Sequence, residues 1–420
     1  MDLELLTIGN ELLLGFTVDT NAAHLSRELA AVGARVLRRA TVGDDRDAIR
    51  AAFQDALDRT GFVIATGGLG PTRDDVTKTV VAEIFGFPLE LDEAYLERLR
   101  ARFAALGRGP MPVSNRSQAE IPKGAIVLWN QWGTAPGLWL EGKPGTAILL
   151  PGVPREMRKL LEHEVVPRIR ERIRTSKSAG QIIQSLTLRT TGIGESALAE
   201  KIAEAEDRLG SVTLAYLPSV AGVDLRLTAW NLPEPGATQA LESAAGRLRQ
   251  SIGRYWYGDG ETDLAAVILQ SLRTSGQRLA VAESCTGGMV AERITAIPGS
   301  SAVFLGGVIA YANTVKTAEL RVSEELIEQH GAVSEPVVRA MVAGVTSKFN
   351  AEAGIAVTGI AGPDGGTPEK PVGTVWLAAQ AGTRVTAIKR QMLGGRQEIR
   401  ARSAQAALDL LRSLTSENGG

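Results

Sequence analysis

Ser284, Cys285 and Thr286 stand together where an apolar run, 278–283, gives way to Gly287-Gly288 and then to apolar residues at Met289, Val290, Ile294 and Ile297. The run reads as a short buried strand and the later spacing as a helix, so three candidate nucleophiles occupy one strand-to-helix turn. Such a turn aims backbone N–H groups and the positive end of a helix dipole at whatever lies in front of it, which suits an anion or an oxyanion. A second strand-like run, 303–311, ends in Ala312-Asn313-Thr314-Val315-Lys316. If the two strands pair, Lys316 arrives beside the hydroxyls, and a hydroxyl next to a lysine is an activated nucleophile that needs no histidine.

A second constellation lies near the start of the chain. Gly9-Asn10-Glu11 follows the apolar run 3–8, and Thr66-Gly67-Gly68-Leu69-Gly70-Pro71-Thr72-Arg73-Asp74-Asp75 follows the run 62–65. The three glycines let backbone approach a ligand, and the two carboxylates adjoin the start of a helix expected over 76–85. Adjacent carboxylates beside a phosphate-sized pocket repel an anion unless a cation lies between them, so a divalent metal is one inference. The other is that Asp75 only caps that helix while Asp74 faces water. The loop is neither GxxxxGK[ST] nor GxGxxG. Glu156, just after Pro154, is expected to complement its helix dipole rather than to hold the cation. Arg396, after Gly394-Gly395, is either placed for a ligand phosphate or solvated.

The elements that must position these residues alternate strand and helix through the first 170 residues, which argues for a mostly parallel sheet with helices on both faces. Ligands in such folds bind beyond the carboxyl ends of strands. Residues 115–137 hold few helix formers and read as a binding loop. Small, polar 176–180 reads as a linker. It leads to a module of strand 182–189, helix 195–208, strands 212–217 and 223–230, and helix 237–252. Its Thr191-Gly192-Ile193-Gly194-Glu195 reads as a glycine turn into a helix rather than a ligand loop. Ser334 reads as the cap of a helix over 334–349.

Composition bounds the rest. A chain of 420 residues exceeds one core, so two or three domains are expected. With 46 basic and 47 acidic side chains the formal net charge is -1 and no basic tract forms, which argues against a nucleic-acid surface. One cysteine excludes an internal disulfide framework and suits a reducing compartment. The N-terminus enters a strand pattern without a signal-like region, and no apolar run reaches about 18 residues. A soluble cytoplasmic protein is expected.

The chain resembles the CinA family (competence/damage-inducible protein A), from Thr7-Ile8-Gly9-Asn10-Glu11-Leu12-Leu13 to the final helix. The resemblance implies an α/β protein of three domains. Over 1–175 the loop Gly67 to Asp75 looks like that of doubly wound MoaB and MogA-type molybdopterin-binding domains. In the CinA setting this implies a metal-dependent pyrophosphatase that splits ADP-ribose to AMP and ribose 5-phosphate. Asp74, Asp75 and Glu11 would hold Mg²⁺, Mn²⁺ or Co²⁺, and Gly67, Gly68, Gly70 and Thr72 would surround the substrate. Residues 176–258 correspond to a small KH-like α+β domain, here without a GxxG loop, so nucleic acid is not an expected partner.

Residues 259–420 are similar to nicotinamide mononucleotide deamidase, which yields nicotinate mononucleotide and ammonia and needs no cofactor. The similarity rests on four motifs: Ala282 to Gly288, Tyr311 to Lys316, Gly331 to Pro336 and Thr358 to Gly366. It implies Ser284 as nucleophile, neutral Lys316 as base and Tyr311 as a hydrogen-bonding or proton-relaying partner. Amides after Ser284 would hold the oxyanion. Thr286, Gly287, Thr358 and Arg396 would bind the nucleotide, and Cys285 is the rival nucleophile. Together these imply a homodimeric, bifunctional enzyme of pyridine-nucleotide salvage with no membrane partner. The alternative is a molybdopterin- or nucleotide-binding protein with a vestigial partner domain, acting through protein contacts in competence or DNA damage.

Overall fold

Alternate residues of the first strand, Asp2–Ile8, enter two different cores: Leu3 and Leu5 pack with Leu25, Leu29, Met157 and Ile169, whereas Leu6 and Ile8 pack with Ile49, Phe53, Val80 and Phe85. A strand whose side chains alternate in direction and are apolar on both faces must be covered on both. The computed structural model describes residues 1–107, 109–175 and 181–416; the expected linker 176–180 lies outside them. The sheet runs in the order Arg35–Val42, Asp2–Ile8, Phe62–Thr66, Gly145–Leu150, Gly137–Gly142, Ile126–Leu128. Its first four strands are parallel and its last two antiparallel. Helices Thr20–Ala31 and Pro154–Leu160 cover one face, Arg46–Thr60 and Thr77–Phe85 the other.

Residues 115–137 are more ordered than a single binding loop. They begin in a 3₁₀ turn, Val113–Ala119, and contain two short strands, Glu120–Pro122 and Ile126–Leu128, the second extending the sheet at its edge. Alternation too brief for a periodic pattern hides such three-residue strands.

A second five-stranded sheet has the order Phe304–Ile309, Leu279–Glu283, Ala353–Gly359, Thr374–Ala381, Arg384–Gln391. The first three are parallel and in register at their carboxyl ends, with Glu283 opposite both Ile309 and Val357. Helices Leu264–Thr274, Met289–Thr295 and Arg396–Ser416 pack on one face, Asn313–Leu320 and Glu335–Phe349 on the other. Ser334 does not cap its helix: its hydroxyl donates to the Gly331 carbonyl at 2.8 Å. Between these sheets in sequence lies a four-stranded sheet, Val212–Pro218, Val223–Pro233, Gln181–Thr190, Trp256–Asp259, with helices Glu195–Glu206 and Glu234–Ile252. Residues 231–236, between the expected strand 223–230 and the expected helix 237–252, extend that strand to Pro233 and open the second helix at Glu234, in whose first turn Pro235 is tolerated.

By compactness the chain forms two units, Met1–Gln184 with Ala229–Gln239, and Ser185–Thr228 with Ala240–Gly420. Among the described residues no helix is long and apolar enough to cross a membrane.

Candidate active site

In the second unit, the shared register delivers three chain ends to one place. Strand Leu279–Glu283 releases Ser284, strand Phe304–Ile309 leads to Tyr311 and Lys316, and strand Ala353–Gly359 carries Thr358 as its penultimate residue. Lys316, on helix Asn313–Leu320, is 1% exposed and Ser284 8%. The Lys316 Nζ lies 3.2 Å from Ser284 Oγ, 3.0 Å from the Ala310 carbonyl and 3.3 Å from the Tyr311 carbonyl. No carboxylate pairs with it among the described residues, and burial lowers its pKa from the ordinary 10.5. Three acceptors suit the three protons of an ammonium. After loss of one proton, the two carbonyls still take two N–H groups and the lone pair is left for the serine O–H. The site is therefore built for either protonation state, with Ser284 as the partner that changes role.

Tyr311 does not stand between these groups. Its side chain is 60% exposed and its hydroxyl accepts from Arg396 Nη2 at 3.0 Å, so it is the Tyr311 carbonyl, not the phenol, that meets the lysine. A relay is unnecessary at a direct Lys–Ser distance of 3.2 Å. Arg396 also donates to the Gly362 carbonyl and has no carboxylate partner among the described residues. Thr358 is buried and gives its hydroxyl proton to the Ala332 carbonyl at 2.8 Å, tying the 331–334 segment to the strand end rather than offering that proton outward. Thr286 is fully buried and its hydroxyl has no partner among the described residues, and Gly287 is exposed in the left-handed region at φ 60°.

The turn holds two residues that sequence reasoning missed as participants. Glu283 is buried and accepts from the amides of Gly288 (3.0 Å), Val290 (3.1 Å) and Ala291 (2.8 Å). Those are the amides at the N-terminus of the following helix, so the helix end expected to face an anion is already occupied by the chain's own carboxylate. The amides of Cys285 and Thr286 are the two of the turn that donate to no oxygen among the described residues. Arg400 donates to the Thr286 carbonyl at 2.8 Å and braces the turn from the last helix. The signals were an acid at the strand end and an arginine one turn after Arg396. Cys285 is a weak rival: burial pushes its thiol up to about 12.

In the first unit, the loops Gly9 to Leu13 and Gly67 to Asp75 leave from neighbouring parallel strands whose connections depart to opposite sides, the crevice where ligands bind in open α/β sheets. The glycines have intramolecular reasons. A Cβ on Gly67, at φ 111°, would sit 2.1 Å from the Ile8 carbonyl oxygen, and one on Gly70 would meet the Asp75 carboxylate at 2.4 Å. Gly68 likewise abuts the Thr77 side chain. Asp75 does not cap the helix, which begins after Val76; its Oδ2 accepts from the Thr72 amide (2.9 Å) and hydroxyl (2.5 Å). Asp74 and Glu11 are exposed. Among the described residues no three His, Cys, Asp or Glu side chains are grouped closely enough to hold a metal ion. Glu11, Asp74 and Asp75 thus do not fit an ion caged by protein alone. They fit a hard cation completed by water and substrate phosphate, which needs only one or two carboxylates.

Glu156 neither joins them nor merely serves a dipole. It accepts from Asn130 Nδ2 at 2.6 Å, and Asn130 in turn accepts from the amides of Trp132 and Gly133, so this pair pins the 130–135 loop. Burial raises the Glu156 pKa. Lys78 was also missed: it is largely buried, donates to the Ser117 carbonyl, and is lowered to about 8 by desolvation.

Residues 4–171 match the family described as a probable molybdopterin binding domain, 185–258 the damage-inducible protein CinA KH domain and 261–415 the CinA C-terminal domain. A CinA-like protein of Gemmatimonas aurantiaca is 54% identical over 100% of this chain and 98% of its own length. A CinA-like protein of Salinibacter ruber is 43% identical over 99% of this chain and 100% of its own. Among solved structures, a competence/damage inducible protein from Agrobacterium tumefaciens is 41% identical, covering 36% of this chain and 93% of that one at a TM-score of 0.35. With full-length identity of this order, the chain belongs to the CinA family.

Proposed function

We propose that the second unit hydrolyses the carboxamide of nicotinamide mononucleotide, giving nicotinate mononucleotide and ammonia. The observation that carries this is the buried Lys316 Nζ, 3.2 Å from Ser284 Oγ and with no acidic partner among the described residues. Neutral Lys316 takes the Ser284 proton as Oγ bonds to the carboxamide carbon. The carbonyl oxygen becomes an oxyanion held by the amides of Cys285 and Thr286. Lys316 passes the proton to the departing nitrogen, the C–N bond breaks and ammonia leaves. Water, deprotonated by the again neutral lysine, attacks the acyl carbon, and the C–Oγ bond breaks with return of the proton to Ser284. Arg396, exposed and without an acid partner among the described residues, offers its guanidinium to the nucleotide phosphate.

The test is ammonia release from nicotinamide mononucleotide in the presence of a chelator. Release is expected, with kcat/KM rising with pH. Because burial disfavours the ammonium, the apparent pKa of that limb lies below 10.5. No release, or a rate that falls as the lysine loses its proton, overturns the scheme and shifts weight to a protein that acts through binding.

For the first unit we propose hydrolysis of the diphosphate of ADP-ribose to AMP and ribose 5-phosphate. A divalent cation bound there would neutralise the phosphates and lower the pKa of a water. Asp74 and Asp75 would hold it, with Glu11 across the crevice; Thr72 and the backbone at Gly67, Gly68 and Gly70 would line the substrate. Asp74→Asn is expected to lower metal-dependent AMP release about 100-fold. Unchanged AMP release would remove Asp74 from the site. We further propose that the protein works in pyridine-nucleotide salvage as a cytoplasmic homodimer.

A further inference from the structure

Within the second unit a cavity of about 650 Å³ opens between residues 191–195, the turn 218–223 and the last helix, Arg396–Ser416. Pockets of about 300–1,000 Å³ hold ligands from small metabolites to nucleotides. Of its four arginines, Arg254, Arg390, Arg402 and Arg412, only Arg412 is paired with an acid among the described residues. Arg402 makes no hydrogen bond or ion pair among the described residues, and its Nε is buried. Arg390 has only a 3.4 Å contact to the Lys389 carbonyl. Arg254 reaches the Tyr255 hydroxyl at 3.2 Å, whereas Arg412 is satisfied by Asp409 at 2.7 Å. Against these, Glu195 is the one lining acid without a cationic partner.

A buried guanidinium N–H without an acceptor is costly, and like charges gathered around one space repel unless an anion joins them. The remaining wall is mixed: Thr191, Ser219 and Gln405 are polar, while Ile193, Val220 and Ile388 give an apolar stretch. The frame is already tied: Gln405 Nε2 donates to Thr191 Oγ1 at 3.0 Å, and Arg412 to the Arg254 carbonyl at 2.8 Å. We infer that this cavity binds a phosphorylated small molecule of mononucleotide size, its phosphate on Arg402 and Arg390 and its base or other apolar part against Ile193 and Val220. It is separate from the Ser284 turn and does not depend on the deamidase reading.

The experiment is amide hydrogen exchange of the full chain with AMP as probe. AMP is expected to slow exchange in 191–196 and 218–223, and adenosine, which lacks the phosphate, is expected to give no protection. In Arg390→Ala and in Arg402→Ala the AMP concentration needed for this protection rises about tenfold or more, with the wild-type melting temperature kept. Arg402→Lys, which keeps the charge but loses the planar fork, falls between. Arg390, on an exposed strand position, supplies the test should Arg402→Ala fail to fold. Unchanged exchange with AMP, equal protection by adenosine, protection that survives both alanine variants, or protection by a single-stranded RNA and not by AMP would each overturn the proposal.

Discussion

Ser284→Ala is expected to reduce ammonia release from nicotinamide mononucleotide by about 10⁴- to 10⁶-fold in kcat, the scale on which single removals from a nucleophile–base unit are felt. The fold is expected to survive, because the Lys316 amine keeps its bonds to the Ala310 and Tyr311 carbonyls when the serine oxygen is gone. Lys316→Ala is expected to be as damaging, and the double variant no worse than either single one, since two groups that act on the same proton are not additive. Cys285→Ala is the control. Its buried thiol stays protonated at neutral pH, so activity is expected within a few-fold of wild type. Ammonia release retained by Ser284→Ala, or lost in Cys285→Ala with the fold intact, would reassign the nucleophile.

Glu283→Ala carries the second large effect, and it is read in two assays. The side chain satisfies three amides inside the protein, and hydrogen bonds to a charged acceptor are each stronger than neutral ones. Their loss leaves buried N–H groups without partners and is expected to cost about 3 kcal/mol of unfolding free energy, measured by denaturant titration. The same three bonds set the path of the chain from Ser284 to the helix Met289–Thr295, so kcat is expected to fall about 100-fold at temperatures where the variant is still folded. Glu283→Gln retains one acceptor oxygen and is expected to recover part of both losses. A variant that is destabilised with unchanged kcat would make Glu283 structural only.

Position in the chain explains what could be read early. The parallel strands around Ser284 are short and mostly apolar, and their ends carry the reactive residues, so strand pattern and motif point to one place. Distances of 3 Å between residues 32 apart are a different matter. That Lys316 reaches Ser284, while the Tyr311 phenol turns away to Arg396, depends on how the helix Asn313–Leu320 seats on the sheet, and no local pattern encodes a side-chain direction across that span. Likewise Asp75 looked equally suited to a cap or a cation, and in the fold its Oδ2 goes to Thr72. Glu156 was read from its place in a first helical turn, but its partner, Asn130, comes from a loop 26 residues earlier.

Residue chemistry and local periodicity by themselves determined the α/β class, the alternation that places loops at strand ends, and the list of groups able to react or bind. Those follow from backbone sterics and from where apolar side chains recur, both local properties. Tertiary structure alone decided which amides of the turn donate to no described oxygen, which lysine is buried enough for its pKa to fall, and where four arginines line one cavity. Burial and pairing arise only when segments far apart in sequence pack, and they are what lower the Lys316 pKa and leave Arg402 without a partner among the described residues.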